Sequence, residues 1–196
     1  MNEEYLFRFD DISVNTNRNK LEEMIRFLRS SFERCRIILA VSPAVIDLSA
    51  CEELRNRERV FPPHFHVESD FRIFYRMDRV GIPDFLAQFR MLYGIELASH
   101  GMVHVDHRLL KKSAQELSIV MSCSLVKANW FVPPFHKWNT KTEEVCAANS
   151  ITLMKTDNCW RHLAYHDFDP RWFNTYFHTH DFDLATFKKK FRDGPY

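Results

Sequence analysis

Hydrophobic positions along this chain follow two alternating periods, one typical of β-strands and one typical of α-helices. Short apolar runs predict six strands, at 5–9, 36–43, 95–100, 128–134, 151–155 and 172–178. Between them, apolar residues recur every three or four positions; in the first such segment they are Leu21, Met24, Ile25, Leu28 and Phe32. The helices predicted in this way lie at 18–35, 82–94, 107–125, 139–150 and 184–192.

Local signals set some of the element boundaries. Pro83 lies near the start of the second predicted helix and Gly94 at its end, which is the usual asymmetry of these two residues. Thr140 and Glu143 match a capping box, which predicts that a helix begins at Thr140. Residues 44–76 carry many charges and the segment FPPHFHVESD, and we expect an irregular excursion there with one helix around 47–58.

Alternating strands and helices predict a parallel sheet or barrel, and we assign residues 1–196 to a single α/β domain. In such architectures the reacting groups lie at the C-terminal ends of strands, in the loops that follow. Polar segments follow four of the predicted strands and should therefore converge on one rim. They are the Asp10–Asp11 pair, SHGMVHVDH (99–107), PPFHKWN (133–139) and HTHDFD (178–183).

The composition is globular, with 45% hydrophobic and 27% charged residues. A formal net charge of +1 gives no reason to expect nucleic acid or an anionic membrane as a partner. Five widely spaced cysteines without a CxxC pair indicate reduced thiols. No apolar run approaches the ~20 residues of a membrane span. Because no signal peptide is visible either, we expect a cytoplasmic protein.

Two acidic residues and two histidines suggest a metal centre. Asp10 and Asp11 end the first strand, although adjacent carboxylates repel each other and suit a strand poorly. His100 and His104 are four positions apart, so in a helical turn both imidazoles would lie on one face and bind one ion. With Asp11 they form a two-His, one-carboxylate set that leaves positions open on a divalent metal. Asp10 could then take a proton from the attacking water.

Hydrolysis of an amide also requires an acid that protonates the departing nitrogen. His178 and His180 follow a predicted strand, and an unperturbed imidazole has a suitable pKa for this task. We prefer His178 because it directly follows the strand, and we keep His180 as the alternative. Backbone amides would complete the oxyanion site.

In order along the chain, FDD (9–11), HGMVH (100–104), FVPPF (131–135) and YFHTH (176–180) resemble the motifs of the NodB-homology polysaccharide deacetylases, carbohydrate esterase family four. The resemblance spans residues 7–183. It implies a distorted (β/α) barrel of the polysaccharide deacetylase type. It also implies that Asp10 is the base, that His178 or His180 is the acid, and that the metal ligands are Asp11, His100 and His104.

The chain departs from the family pattern in two informative places. Gly101 stands where the family usually has Ser or Thr. Val132 stands where the third motif usually opens with an Arg that holds the catalytic Asp, so another group must orient Asp10; Lys137 and Arg161 are the candidates. The pattern is similar to a divergent branch, some members of which are encoded with O-antigen or other surface-sugar pathways and would act on small intermediates inside the cell.

The resemblance implies a metal-dependent hydrolase that removes an N-acetyl or N-formyl group from an amino sugar or its activated or carrier-linked form. The expected cofactor is one divalent metal, Zn²⁺ before Co²⁺, Mn²⁺ or Ni²⁺. Aromatic rings pack well on the apolar faces of sugars, and His107 and His136 are expected nearest the rim. The expected substrate contacts are Pro133, Phe135, His136 and Trp138.

Two other interpretations stay open. His104 and Asp106, with His178 far downstream, also fit the metal triad of a non-haem Fe(II) oxygenase, in which Arg192 could bind an acid. That interpretation leaves the Asp10–Asp11 pair unexplained and requires an antiparallel jelly roll, which the alternation of strands and helices contradicts. The other is a non-catalytic carbohydrate-binding protein that keeps the fold but has lost the chemistry.

Overall fold

The computed structural model describes residues 5–44, 81–155, 177–178 and 185. Its strands are β1 (Tyr5–Ile12), β2 (Cys35–Val41), β3 (Glu96–Ser99), β4 (Trp130–Phe131), β5 (Thr152–Leu153) and β6 (Phe177–His178). Its helices are α1 (Arg18–Ser31), α2 (Phe85–Tyr93), α3 (Lys112–Val126) and α4 (Thr140–Ala148). The described strands form one sheet in the order β5-β4-β3-β2-β1-β6, and every neighbouring pair is parallel.

The strand order identifies the way in which the sheet is wound. From β1 to β5, each strand lies beside the one that precedes it in the sequence, and β6 returns to pair with β1. A doubly wound sheet reverses direction at its first strand, whereas a (β/α) barrel does not. The predicted α/β class is confirmed, and the order is that of a barrel whose edges, in the described part of the chain, are β5 and β6.

The central strands are buried on both faces, as is usual for parallel sheets. Phe7 and Phe9 of β1 lie on the face covered by α1 and α2 and belong to the main apolar core. The opposite face, here called the inner face, is formed by Leu6, Ile38, Ala40, Ala98, Val132 and Met154. Because side chains alternate along a strand, Arg8 and Asp10 share the inner face with Leu6.

Helix α1 forms where the apolar periodicity predicts it. The Asn17 side chain caps its first turn by accepting a hydrogen bond from the backbone N–H of Lys20 at 3.1 Å. Four of the five residues of the predicted apolar stripe, Leu21, Met24, Ile25 and Leu28, are fully buried. The fifth, Phe32, lies just past the end of the helix and is half-buried. Burial of each such side chain stabilises the fold by about 1.5–3 kcal/mol.

Helix α4 begins at Thr140 as predicted, but its capping residues differ from the predicted ones. The cap is Asn139, whose side chain accepts from the backbone N–H of Thr142 at 3.1 Å, while Thr142 Oγ1 accepts from the backbone N–H of Asn139 at 3.2 Å. Asn is a better cap than Thr. Glu143, the predicted partner of Thr140, instead forms an ion pair with Lys155.

Some elements are shorter than predicted or begin differently. The strand predicted at 128–134 pairs only at Trp130–Phe131, and the third predicted helix begins as a 3-10 turn, His107–Leu109, before α3. The helix predicted around 47–58, residues 172–176 of the last strand and most of the helix at 184–192 lie outside the described residues. Among the described helices, none combines the length and hydropathy needed to cross a membrane.

Candidate active site

The two adjacent aspartates of β1 contact different neighbours because the strand is irregular at this point. Pairing with β2 shifts register between Phe9 and Ile12, and Asp11 has a left-handed backbone with φ 60°. Asp tolerates this conformation better than most residues, and such bulges commonly redirect side chains beside functional sites. Asp10 therefore stays on the inner face next to Arg8, while Asp11 meets the loop that follows β3.

Asp11, His100 and His104 bring three ligand atoms within 4.8 Å of one another. Oδ1 of Asp11 lies 3.4 Å from Nε2 of His100 and 3.1 Å from Nε2 of His104. A tetrahedral ion with bonds of about 2.0–2.1 Å to such ligands separates its donor atoms by about 3.3 Å. The donor types and their spacing thus fit a divalent metal such as zinc.

The orientation of His100 is set by the protein itself. Its Nδ1 lies 2.8 Å from the carbonyl oxygen of Val132. Because a carbonyl can only accept, Nδ1 carries the hydrogen and Nε2 presents its lone pair towards Asp11. The backbone N–H of His100 also donates to the carbonyl of Val41 at 2.8 Å, which fixes the residue at the exit of β3.

His100 and His104 converge through a loop instead of the helical turn proposed for them. Gly101 has φ 81°, in the left-handed region that favours glycine. A Cβ atom at this position would lie 2.7 Å from Cε1 of His107, so a Ser or Thr there would collide with the ring. The two imidazole centroids are nevertheless only 5.0 Å apart.

His107 is a structural residue and not a contact at the rim. It is fully buried, with Nδ1 3.0 Å from the carbonyl of Val105 and Nε2 3.0 Å from Oγ of Ser118. Burial lowers its pKa to about 4, so the ring is neutral near pH 7. The expectation that His107 lies near substrate is therefore wrong.

A polar stripe on α3 supports the loop that carries the histidines. Ser118 Oγ accepts from the backbone N–H of Met102 at 3.1 Å, besides contacting His107. Ser122 and Ser99 share a hydrogen bond between their hydroxyls, and Ser99 Oγ also accepts from the backbone N–H of Gly101 at 3.1 Å. Ser118 and Ser122 are fully buried, so these contacts satisfy groups that water does not reach.

Arg8 holds Asp10, and sequence reasoning missed it. The guanidinium donates from Nε to Oδ1 at 2.7 Å and from Nη2 to Oδ2 at 2.8 Å. The signal for this contact is that Arg8 and Asp10 are two positions apart on one strand, because such residues point to the same face of the sheet. Of the two residues suggested for this role, Lys137 instead acts electrostatically on Asp106, and Arg161 lies outside the described residues.

The charge state of Asp10 follows from two opposing effects. Burial is the largest single effect and raises the pKa of the carboxyl, but the charge of Arg8, its hydrogen bonds and the two nearby histidines together outweigh burial. The effect of His100 on this pKa is second to that of the Arg8 charge among the lowering effects, and the effect of His136 is the smallest. The pKa of Asp10 is therefore below its ordinary value, and the residue is a carboxylate at neutral pH.

The turn after β4 reaches both halves of the site. Phe135 and His136 both have φ 55°, and Pro133 and Pro134 before them are buried. The Phe135 ring is more than half exposed and lies edge-on to His104, with 4.3 Å between centroids. His136 contacts Arg8.

Of the predicted substrate wall, only Phe135 is exposed. Pro133 is buried, and Trp138 is half-buried. This distribution leaves Phe135 as the open aromatic face beside the candidate metal ligands.

Of the two candidate acids, His178 and His180, only His178 lies among the described residues. The backbone of His178 pairs in register with Asp10 across β6 and β1, which brings this residue beside the candidate base. His180 lies outside the described residues. The catalytic role of either histidine stays a prediction.

The structure does not favour the alternative iron triad. Both carboxylate oxygens of Asp106 bind the Arg108 side chain, at 3.1 and 2.8 Å, and the carboxylate also caps the 3-10 turn. The sheet is parallel, not the antiparallel jelly roll that this interpretation requires.

No protein-family model and no curated protein matches this sequence. Similar solved structures include a family 4 carbohydrate esterase from Streptomyces lividans in complex with acetate, with 14% identity and a TM-score of 0.48 over 78% of this chain. They also include the BpsB deacetylase domain from Bordetella bronchiseptica, with 16% identity and a TM-score of 0.41 over 74% of this chain. A third is a CE4 family pseudoenzyme from Bacillus anthracis, with 10% identity and a TM-score of 0.45 over 82% of this chain.

This chain covers less than two thirds of each of these structures, namely 62%, 61% and 47% of their lengths. Two of these three structures carry the name of the family that the four sequence motifs resemble. The chain is an α/β protein with a parallel sheet that carries a cluster of two histidines and one carboxylate. Likenesses of this order do not transfer an activity, which has to be argued from the site.

Proposed function

We propose that this chain is a metal-dependent hydrolase that removes an N-acetyl or N-formyl group from an amino sugar. One observation carries the proposal: Asp11, His100 and His104 bring three donor atoms together beside a buried carboxylate, Asp10, that Arg8 holds in a fixed orientation. A metal site with open positions next to an oriented base is one arrangement that can hydrolyse an unreactive amide.

Asp11, His100 and His104 would hold the ion, which supplies Lewis acidity that polarises the acyl carbonyl and lowers the pKa of water. Asp10 takes the proton of the attacking water; its oxygens keep further lone pairs after Arg8 has used one of each. His178, whose backbone lies beside Asp10, returns a proton to the departing nitrogen.

Phe135 is the first choice for a contact with the sugar ring. It offers an exposed aromatic face in contact with His104, so a sugar stacked there would place its acyl group near the metal ligands. Resemblance to the divergent surface-sugar branch supports the finer proposal that the substrate is a small activated or carrier-linked amino sugar. The acyl group, the sugar and the carrier are then the variables of the assay.

The first experiment measures metal content by elemental analysis of the wild type and of the His100→Ala/His104→Ala variant. About one equivalent of zinc or a similar ion is expected in the wild type and none in the variant. Release of acetate or formate is then measured on acylated amino sugars, free and nucleotide-linked. Asp10→Asn should keep the ion and lose the activity.

Two outcomes contradict the proposal in different ways. Absence of metal from both proteins, even after supplementation, rules out the hydrolase mechanism. Bound metal without release of any acyl group from the whole substrate panel indicates the non-catalytic carbohydrate-binding protein instead.

A further inference from the structure

His136 lies where the turn after β4 meets the carboxylate half of the site. Its Nδ1 is 3.2 Å from Nη2 of Arg8, and Nη2 also donates to Oδ2 of Asp10 at 2.8 Å. A guanidinium carries donors only, so Nδ1 must accept and the neutral ring keeps its hydrogen on Nε2. One nitrogen of Arg8 is thus held from two sides, by β1 and by the turn.

We propose that His136 is a positioning residue: it holds the Arg8 guanidinium in its two-bond geometry with Asp10 and thereby aims the Asp10 carboxylate. The inference rests on the proposed function, in which Asp10 is the base. It also changes the role expected for His136 from the sequence, which was contact with the substrate.

The backbone of the turn supports this role. Left-handed φ values at Phe135 and His136 are unfavourable for residues with a Cβ atom and persist only where the surroundings hold them. Here the buried Pro134 anchors the turn, and the backbone N–H of His136 donates to the carbonyl of Pro133 at 3.0 Å. The conformation directs Phe135 to His104 and His136 to Arg8, so neighbouring residues fix the two halves of the site.

The kinetic test uses the metal-loaded full chain with four variants: His136→Gly, His136→Gln, Arg8→Gln and the double variant R8Q/H136G. Glycine removes the ring and suits a left-handed backbone, while glutamine keeps an acceptor oxygen for Arg8. We expect H136G to lower kcat roughly tenfold or more with little change in KM, and H136Q to recover most of the loss. In the R8Q background, H136G should lower kcat almost no further.

A substrate-binding role would give a different pattern. A rise in KM without loss of kcat, or losses that multiply fully in the double variant, would overturn the proposal. Lys112→Ala is the control, because it breaks an exposed ion pair with Glu144 between α3 and α4 and should leave kcat and KM unchanged.

A second cycle needs no substrate. Thermal unfolding of the wild type, R8Q, H136G and R8Q/H136G is compared at one pH and one zinc concentration. Shifts of Tm that are clearly less than additive show that His136 and Arg8 are coupled, and additive shifts overturn the inference. If the wild type releases no acyl group from any substrate, the proposed function fails, while this cycle still decides whether His136 holds Arg8.

Discussion

At the scale of single residues, the site depends on one buried ion pair. The side chains of Arg8 and Asp10 are only 4% and 1% exposed, so each charge lacks water and depends on the other. The pair orients Asp10 and also keeps it ionised despite burial. Stability and chemistry are therefore linked at this position.

Removing one partner should destabilise the protein more than removing both. Arg8→Met leaves the Asp10 carboxylate buried without its cation, and loss of one member of such a pair costs about 3–5 kcal/mol. We expect a fall of this order in the free energy of unfolding measured with urea. Arg8→Met/Asp10→Leu is expected to be more stable than Arg8→Met alone, although both should be inactive. A single variant as stable as the wild type would contradict this account.

His107 should make the stability of the fold depend on pH. The pKa of its imidazole is about 4 in the folded protein, compared with the ordinary value of 6.5 that applies to the unfolded chain. Between these values only the unfolded state binds the proton, so stability is full above about pH 6.5 and falls as the pH drops towards 4. The expected loss by pH 5 is about 2 kcal/mol.

The measurement compares urea unfolding at pH 7 and pH 5 for the metal-free wild type and for His107→Asn. Because the asparagine does not titrate, the difference between the two proteins isolates His107 from the other titrating groups. Equal changes of stability in the two proteins would rule out this origin of the pH dependence.

Sequence reasoning reached the metal-ligand candidates but not the residues that position them. Asp and His are residue types that commonly bind metals, and His100 and His104 are four positions apart in the sequence. The structure brings Asp11 and these two histidines together. Arg8 and His107 were missed or misjudged because arginine and histidine occur in many surface roles. Only the register of β1 and the packing around Gly101 show what these two residues contact.

At the scale of elements, α3 is unusual because its buried face is partly polar. Gln115, Ser118 and Ser122 are fully buried and lie on one side of the helix, three and four positions apart. Gln115 donates to the carbonyl of Leu110 at 3.1 Å and accepts from Oγ1 of Thr142 at 2.7 Å. The helix thus serves as a scaffold of hydrogen bonds for the loop that carries His100 and His104 and for α4.

Ser118→Ala should weaken that scaffold. The change leaves the Met102 N–H and the His107 ring without their shared partner, and a buried unsatisfied group costs about 1–3 kcal/mol. We expect a loss of this size in the free energy of unfolding, together with weaker zinc binding by competition with a chelator. Ser124→Ala, an exposed position on the same helix, is the matched control and should change neither quantity.

Element types were easier to predict than their ends. The apolar stripe of α1 and the Gly94 cap of α2 follow directly from local periodicity and backbone preference. The short strands β4 and β5 could not be bounded in this way, because pairing with a neighbour, and not the local apolar run, decides where they end. The cap of α4 was misplaced because two adjacent residues, Asn139 and Thr140, can both act as caps.

At the scale of the whole molecule, the parallel orientation of the strands explains why distant motifs meet. Parallel strands place all their C-terminal ends on one rim, so the exits of β1, β3 and β4 bring Asp11, His100 and the turn at 133–137 to the same region. This convergence followed from the predicted alternation of strands and helices. The one-way strand order did not, because it is set by long-range pairing that periodicity does not report.

A metal bound at this rim should stabilise the whole fold. Its ligands come from β1 and from the loop after β3, with β2 between them, so the ion would bridge strands that are not neighbours. Zinc at 100 times its dissociation constant adds about 2.7 kcal/mol to the free energy of unfolding. For a chain of this size that corresponds to a rise in Tm of roughly 5–10 °C.

The matched variants for this thermal-shift experiment are Asp11→Asn and Asp10→Asn. Asparagine tolerates the left-handed backbone of position 11, so Asp11→Asn tests the charged donor and not the backbone. It should lose most of the zinc-dependent shift, whereas Asp10→Asn should retain it, because Asp10 is held by Arg8 and is not one of the ligands. An equal shift in both variants would indicate that the ion binds elsewhere. The different roles proposed for Asp10 and Asp11 would then be wrong.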